Sequence, residues 1–141
     1  MVLLVLHAAA TWFLAGLVWF VQLVHYPLMA EAARADFVRY EALHQRYTTW
    51  IVAPVMTLEA ALAVWLTAHP PENLPGWSVL VAAGLLAGIW ASTFAVQVPI
   101  HARLAAGFDA RVHRRLVRSN WFRTAAWSVR AVIAAMWLVR H

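Results

Sequence analysis

A long uncharged run extends from Val2 to Ala30 without a single Asp, Glu, Lys or Arg. It constrains the fold more than any motif, because about 20 predominantly apolar residues are enough to cross the hydrocarbon core of a bilayer. Three further runs share its character. Tyr47 to Ala68 is broken only by Glu59, Trp77 to Ala102 carries no formal charge, and Ser119 to Val139 holds only Arg123 and Arg130. Between the second and third runs, His69-Pro70-Pro71-Glu72-Asn73-Leu74-Pro75-Gly76 reads as a helix-breaking turn. Charged residues make up 12% of the chain, against about 25% in a soluble domain, which excludes a soluble globular enzyme, a disordered tail and an ordinary nucleic-acid binder. The absence of cysteine removes disulfides, thiol catalysis, Cys-ligated zinc and iron–sulfur clusters. The expected fold is an all-α bundle of four transmembrane helices, one integral membrane domain over 1–141, with helices over about 2–27, 36–68, 77–102 and 110–139.

Arginine sets the orientation. All eleven basic residues are arginine, and positive charge favours the cytoplasmic side. The connection between spans one and two holds Arg34, Arg39 and Arg46; that between spans three and four holds Arg103, Arg111, Arg114, Arg115 and Arg118; only Arg140 lies at the other end. Both connections are therefore expected in the cytoplasm and both termini outside, in a multi-pass protein of a bacterial inner membrane. The N-terminal stretch lacks a basic n-region and its apolar run is too long for a signal h-region, so it reads as a retained helix. Asp109 is placed to cap a helix that carries Arg111, Arg114, Arg115 and Arg118 towards anionic lipid headgroups.

The two hairpins echo one another. Gln22, His25 and Pro27 close the first span as Gln97, Pro99 and His101 close the third, and Arg46/Trp50 open the second as Arg123/Trp127 open the fourth. A pair of pseudo-repeated hairpins is the implied arrangement. Gly84 and Gly88 begin a small-residue stripe that permits close helix contact, inside the bundle or in a homo-oligomer.

Polar side chains inside a bilayer are costly and tend to face the bundle interior. Helical periodicity puts His7, Thr11, Val18, Gln22 and His25 on one face of the first span, and Tyr40, His44, Tyr47, Thr48 and Glu59 on one side of the second. Thr93 and Gln97 align on the third, and Asn120, Arg123, Trp127 and Arg130 on the fourth. Most of these lie in the half nearest the arginine-rich connections and imply a polar pocket open to that side. His25, His44, His101 and Arg123 are the candidate catalytic residues, and Gln22, Tyr47, Gln97, Asn120 and Trp127 the candidate substrate contacts. Histidine titrates near physiological pH and moves protons readily, while a guanidinium matches planar oxygen acceptors. The same three histidines are the set from which a metal ion or a haem would draw ligands, although no carboxylate is expected at their depth. His69, His113 and His141 receive no role. Glu59 lies about 14 Å inside the outer end of its span at ~1.5 Å per residue. His7 is its nearer expected partner, Arg130 the farther, and a protonated carboxyl the remaining possibility.

Several segments resemble the anthrone-oxygenase-like family of small four-helix membrane proteins. They are Leu14-Ala15-Gly16-Leu17, His25-Tyr26-Pro27, Ala53-Pro54-Val55-Met56 and Asn120-Trp121-x-Arg123-x-x-x-Trp127. The fullest is Thr93 with Val98-Pro99-Ile100-His101-Ala102-Arg103-Leu104, similar to that family's Thr…Pro-x-Asn-x-x-Leu pattern, with His101 in place of the asparagine. The resemblance implies a four-helix bundle and, for some relatives, cofactor-free oxygenation of polycyclic anthrones. The expected function is a small membrane oxidoreductase or oxygenase-like protein binding a lipophilic substrate. The alternatives are a non-enzymatic assembly factor or oligomeric small transporter, and a haem- or quinone-binding subunit.

Overall fold

A computed structural model describes residues 1–32 and 36–140; Arg34 and His141 lie outside the described residues. The chain forms four helices long and apolar enough to cross a membrane: α1 (Val2–Glu31), α2 (Phe37–Ala68), α3 (Gly76–Leu104) and α4 (Ala110–Arg140). Each has 29–32 residues, about 45 Å at ~1.5 Å per residue, more than a hydrocarbon core of about 30 Å requires. The surplus stands at the arginine-rich end, where Arg39, Arg46, Arg103, Arg111, Arg114, Arg115 and Arg118 are all exposed on helical extensions. α1 therefore runs on through Pro27 to Glu31 rather than stopping at residue 27, and α3 continues to Leu104.

The connections are tight. Between α3 and α4, Gly107 adopts φ +144°, a conformation open to glycine because it has no Cβ. Asp109 then caps α4, its Oδ1 accepting from the N–H groups of Arg111 at 2.7 Å and Val112 at 3.2 Å. These two bonds, Val112 first, hold its carboxyl below the usual carboxylate range. At the opposite end Ser78 Oγ donates to the Pro75 carbonyl and accepts from Trp137 Nε1 at 2.9 Å, joining the start of α3 to the end of α4.

The helical ladders of α1 and α3 each slip once. Val21–His25 and Thr93–Gln97 are π-helical, and in each the N–H just before a proline reaches five residues back, Tyr26 to the Val21 carbonyl and Val98 to the Thr93 carbonyl. Pro27 and Pro99 have no N–H to donate in the ordinary α pattern, and the wider turn absorbs the loss. Both π segments end two residues before their proline. The hairpins thus repeat a backbone feature in a register that pairs His25 with Gln97, not Gln22 with Gln97 as the sequence pattern suggested.

α1 packs along the length of α4, whereas α2 and α3 are the most sparsely packed of the neighbouring pairs. Three apolar layers stack along the bundle. Leu4, Leu66, Val79 and Trp137 fill the terminal end; Leu14, Met56, Ile89 and Trp127 the middle; Met29, Phe37, Leu104 and Leu116, all fully buried, the arginine-rich end. The small-residue stripe divides between two uses. A Cβ on Gly88 would lie 3.1 Å from Phe122 Cζ, so Gly88 serves the α3–α4 contact, whereas one on Gly84 would meet nothing within 4 Å.

Candidate functional site

Between the middle and arginine-rich layers lies a cavity of about 430 Å³, within the size range of small-molecule sites. All four helices contribute to it. Leu14 and Val18 come from α1, Val52 and Met56 from α2, Trp90 and Thr93 from α3, and Trp127 from α4. Thr49, Ala53 and Thr57 of α2 and Phe94 and Val98 of α3 also line it, and all five are exposed on the surface of the bundle. The cavity therefore opens sideways between α2 and α3, the neighbouring pair that packs least, at the level of the apolar spans. The π segments supply Val21, Thr93, Phe94 and Gln97 to its walls.

One wall is a hydrogen-bonded chain crossing from α1 to α4. Asn120 Nδ2 donates to Gln22 Oε1 at 2.9 Å, Gln22 Nε2 donates to the Val117 carbonyl at 3.2 Å, and Arg123 Nη1 donates to Asn120 Oδ1 at 3.1 Å. Gln97 Nε2 donates to Ser119 Oγ at 3.2 Å. Asn120 and Gln22 are thus fixed by each other, and Arg123 is steered by Asn120 one helical turn before it. The Nε of Arg123, the indole nitrogens of Trp90 and Trp127, and Oε1 of Gln97 are buried without a partner. Each such orphan costs about 1–3 kcal/mol, more when charged.

The other wall is a carboxylate–imidazole assembly. Glu41 of α2, fully buried, places Oε1 2.6 Å from His101 Nδ1 and accepts from Gln45 Nε2 at 3.0 Å. Gln45 Nε2 also lies 3.2 Å from the His101 carbonyl, tying α2 to the end of α3. The other ring nitrogen of His101 lies 3.4 Å from the Tyr26 hydroxyl. His44 stands beside His101 with ring centroids 5.4 Å apart, bonds Thr48 Oγ1 through Nδ1 at 3.1 Å, and stacks on His25 at 4.2 Å. Three imidazoles thus run in file from α1 across α2 to α3. A second hollow of about 340 Å³ lies beside the cavity, lined by His25, Tyr40 and Tyr47 and sharing His44 with it.

Of the residues singled out in the sequence, His44, His101, Arg123, Gln97, Asn120 and Trp127 line the cavity. His25 and Tyr47 face the neighbouring hollow, and Gln22 lies behind Asn120 as its support. The expected lack of a carboxylate at this depth is overturned by Glu41. The signal is Glu41, His44, Gln45 and Thr48 at spacings of three and four, one helical face, in a segment where Arg39 and Arg46 mark the cytoplasmic connection. His113 also acquires a role. It is a buried residue of the first turn of α4, not a loop residue, and its Nε2 meets the Tyr26 carbonyl at 2.9 Å. The histidines stack instead of converging, and among the described residues no group of three His, Asp or Glu side chains is arranged as a metal ligand set.

Deeper towards the termini, His7, Glu59 and Arg130 meet, all buried. Glu59 Oε1 accepts from Arg130, from His7 Nε2 at 3.2 Å and from Thr11 Oγ1 at 3.2 Å. Both expected partners reach one oxygen, so neither is the sole choice. Arg130 also donates to the Ala82 carbonyl and lies 5.6 Å over the ring of Trp127, a residue that lines the cavity. His7 stacks on Trp137 at 5.5 Å.

Comparison with family models, with curated proteins and with solved structures finds no match.

Proposed function

We propose that this protein is a membrane-embedded acid–base site, oxidoreductase- or oxygenase-like, which takes a lipophilic molecule from the bilayer and moves a proton on it. The observation that supports this most is the pairing of a buried carboxylate with an imidazole on the wall of a laterally open cavity: Glu41 to His101 at 2.6 Å. Such a carboxylate fixes the ring's orientation and tautomer and stabilises the imidazolium formed when the other nitrogen accepts a proton. His101 would act as the base, Arg123 with Asn120 would stabilise negative charge developing on a substrate oxygen, and His44 and His25 would pass the proton towards the arginine-rich end. Arginine asymmetry favours that end as cytoplasmic, in a bacterial inner membrane. The division of the small-residue stripe weighs against the transporter alternative, since Gly88 is already used against Phe122.

The test compares total lipophilic extracts incubated in D2O with purified wild-type protein and with His101→Ala, each confirmed monodisperse in nanodiscs. A species transformed or deuterated by the wild type alone is the expected result. Extracts altered identically by both proteins, or by neither, would remove the acid–base reading and leave a structural or assembly role.

A further inference from the structure

The cavity carries a charge that no carboxylate among the described residues answers. Among the described residues that line it, Arg123 is the only permanently charged one, and none is Asp or Glu. The two buried carboxylates are engaged elsewhere, Glu59 with Arg130 and His7, Glu41 with His101 and Gln45. Among the described residues no carboxylate oxygen lies within 4.0 Å of the Arg123 guanidinium. Its protein partner is Asn120 Oδ1, and its Nε is buried without an acceptor. Trp90 Nε1 and Trp127 Nε1 are two more buried donors on the same walls, also without acceptors. Against one unpartnered acceptor on the walls, Gln97 Oε1, these three donors are a surplus, and with Arg123 they describe the complement of an anion. A guanidinium fork is matched best by a planar pair of oxygens.

We propose that the ligand supplies the missing counter-charge: a lipophilic carboxylate that enters tail-outward between α2 and α3 and seats its head on Arg123. This rests on the reading of the cavity as a site for a bilayer-derived lipophile and narrows that ligand to an acid. The lateral opening at Thr49, Ala53, Phe94 and Val98 leaves the body of such a ligand in the hydrocarbon while only its head group is enclosed.

The full chain in nanodiscs is titrated with laurate, with a naphthoate that carries the same head on a ring body, and with methyl laurate, which keeps the tail and loses the charge. Empty nanodiscs are the reference and tryptophan fluorescence the signal, since Trp90 and Trp127 line the cavity. The wild type is expected to bind at least one carboxylate about tenfold or more tighter than the ester. Whichever carboxylate shows the preference identifies a chain or a ring as the body. Arg123→Gln should abolish the preference, so that acid and ester bind alike, and Arg123→Lys should keep most of it. Equal binding of acid and ester by the wild type would overturn the anion inference and leave the lipophile site standing. A preference retained in a folded Arg123→Gln variant would also overturn it. If none of the three probes binds above empty nanodiscs, the lipophile site itself fails, and this inference with it.

Discussion

Glu59 and Glu41 are both fully buried glutamates on α2, each bonded to a histidine from another helix, yet their surroundings differ in kind. Glu59 faces Arg130, a group that never releases its proton, and lies where the apolar middle and terminal layers meet. Glu41 faces only imidazole and a neutral amide, and its partner His101 opens on the cavity. A carboxylate locked to a guanidinium is a fixed charge pair, and here its bonds reach all four helices. A carboxylate paired with imidazole can shift a proton at little cost. Burial and residue type alone do not separate the two roles; the partner's own titration does.

The largest expected effect breaks the first half of that contrast. Glu59→Ala strands Arg130 in the interior and should cost about 3–5 kcal/mol, read by unfolding in mixed micelles. The double variant Glu59→Gln with Arg130→Met should recover much of that loss, since removing both charges leaves neither one unpaired. A Glu59→Ala protein as stable as the wild type would end the distinction.

Glu41→Gln tests the second half and should move a different observable. Its stability should fall by only about 1–3 kcal/mol, while proton transfer at the cavity should fall by about 10²–10⁴-fold, the usual contribution of a positioned acid–base group. If both substitutions change stability alone, Glu41 is a second anchor and the two sites are alike.

His7→Phe sharpens the comparison on a smaller scale. It keeps the stacking on Trp137 and removes one bond to a glutamate that still holds Arg130. A loss of about 0.5–1.5 kcal/mol is expected, whereas His101→Phe should silence the cavity. The smallest effect belongs to a third carboxylate, the exposed cap Asp109. Asp109→Ala should lower the thermal midpoint slightly. Because the folded state holds this carboxyl below its ordinary range, the advantage of the wild type should be full above pH ~4 and vanish as pH falls through the depressed value. Differential scanning in detergent at several pH values reads it.

How far each of these features was legible in the sequence depends on its range of interaction. The four spans follow from uncharged runs, and helical spacing alone brings Asn120, Arg123 and Trp127 to one wall. Glu41 was missed because its burial is tertiary. The end of α3 folds His101 over a segment whose own composition, with Arg39 and Arg46, marks the cytoplasmic connection. Tyr47 shares a helix face with His44, yet it lines only the neighbouring hollow, whereas His44 lines both. The π segments leave no periodic trace, since one wide turn alters neither hydropathy nor charge. Their local marks are Pro27 and Pro99.

A π turn is, in effect, one surplus residue lodged in a helix without unwinding it. α1 and α3 each store such a residue, both just ahead of the segments that carry Tyr26 and His101. Winding Val21–His25 as ordinary α-helix at unchanged length would turn everything beyond it by about 100°. That rotation would swing the Tyr26 hydroxyl off His101 and withdraw the Tyr26 carbonyl from His113. The π turn of α1 is thus a phase setting, and its loss at unchanged length would act on the site as a twist, with no side chain replaced.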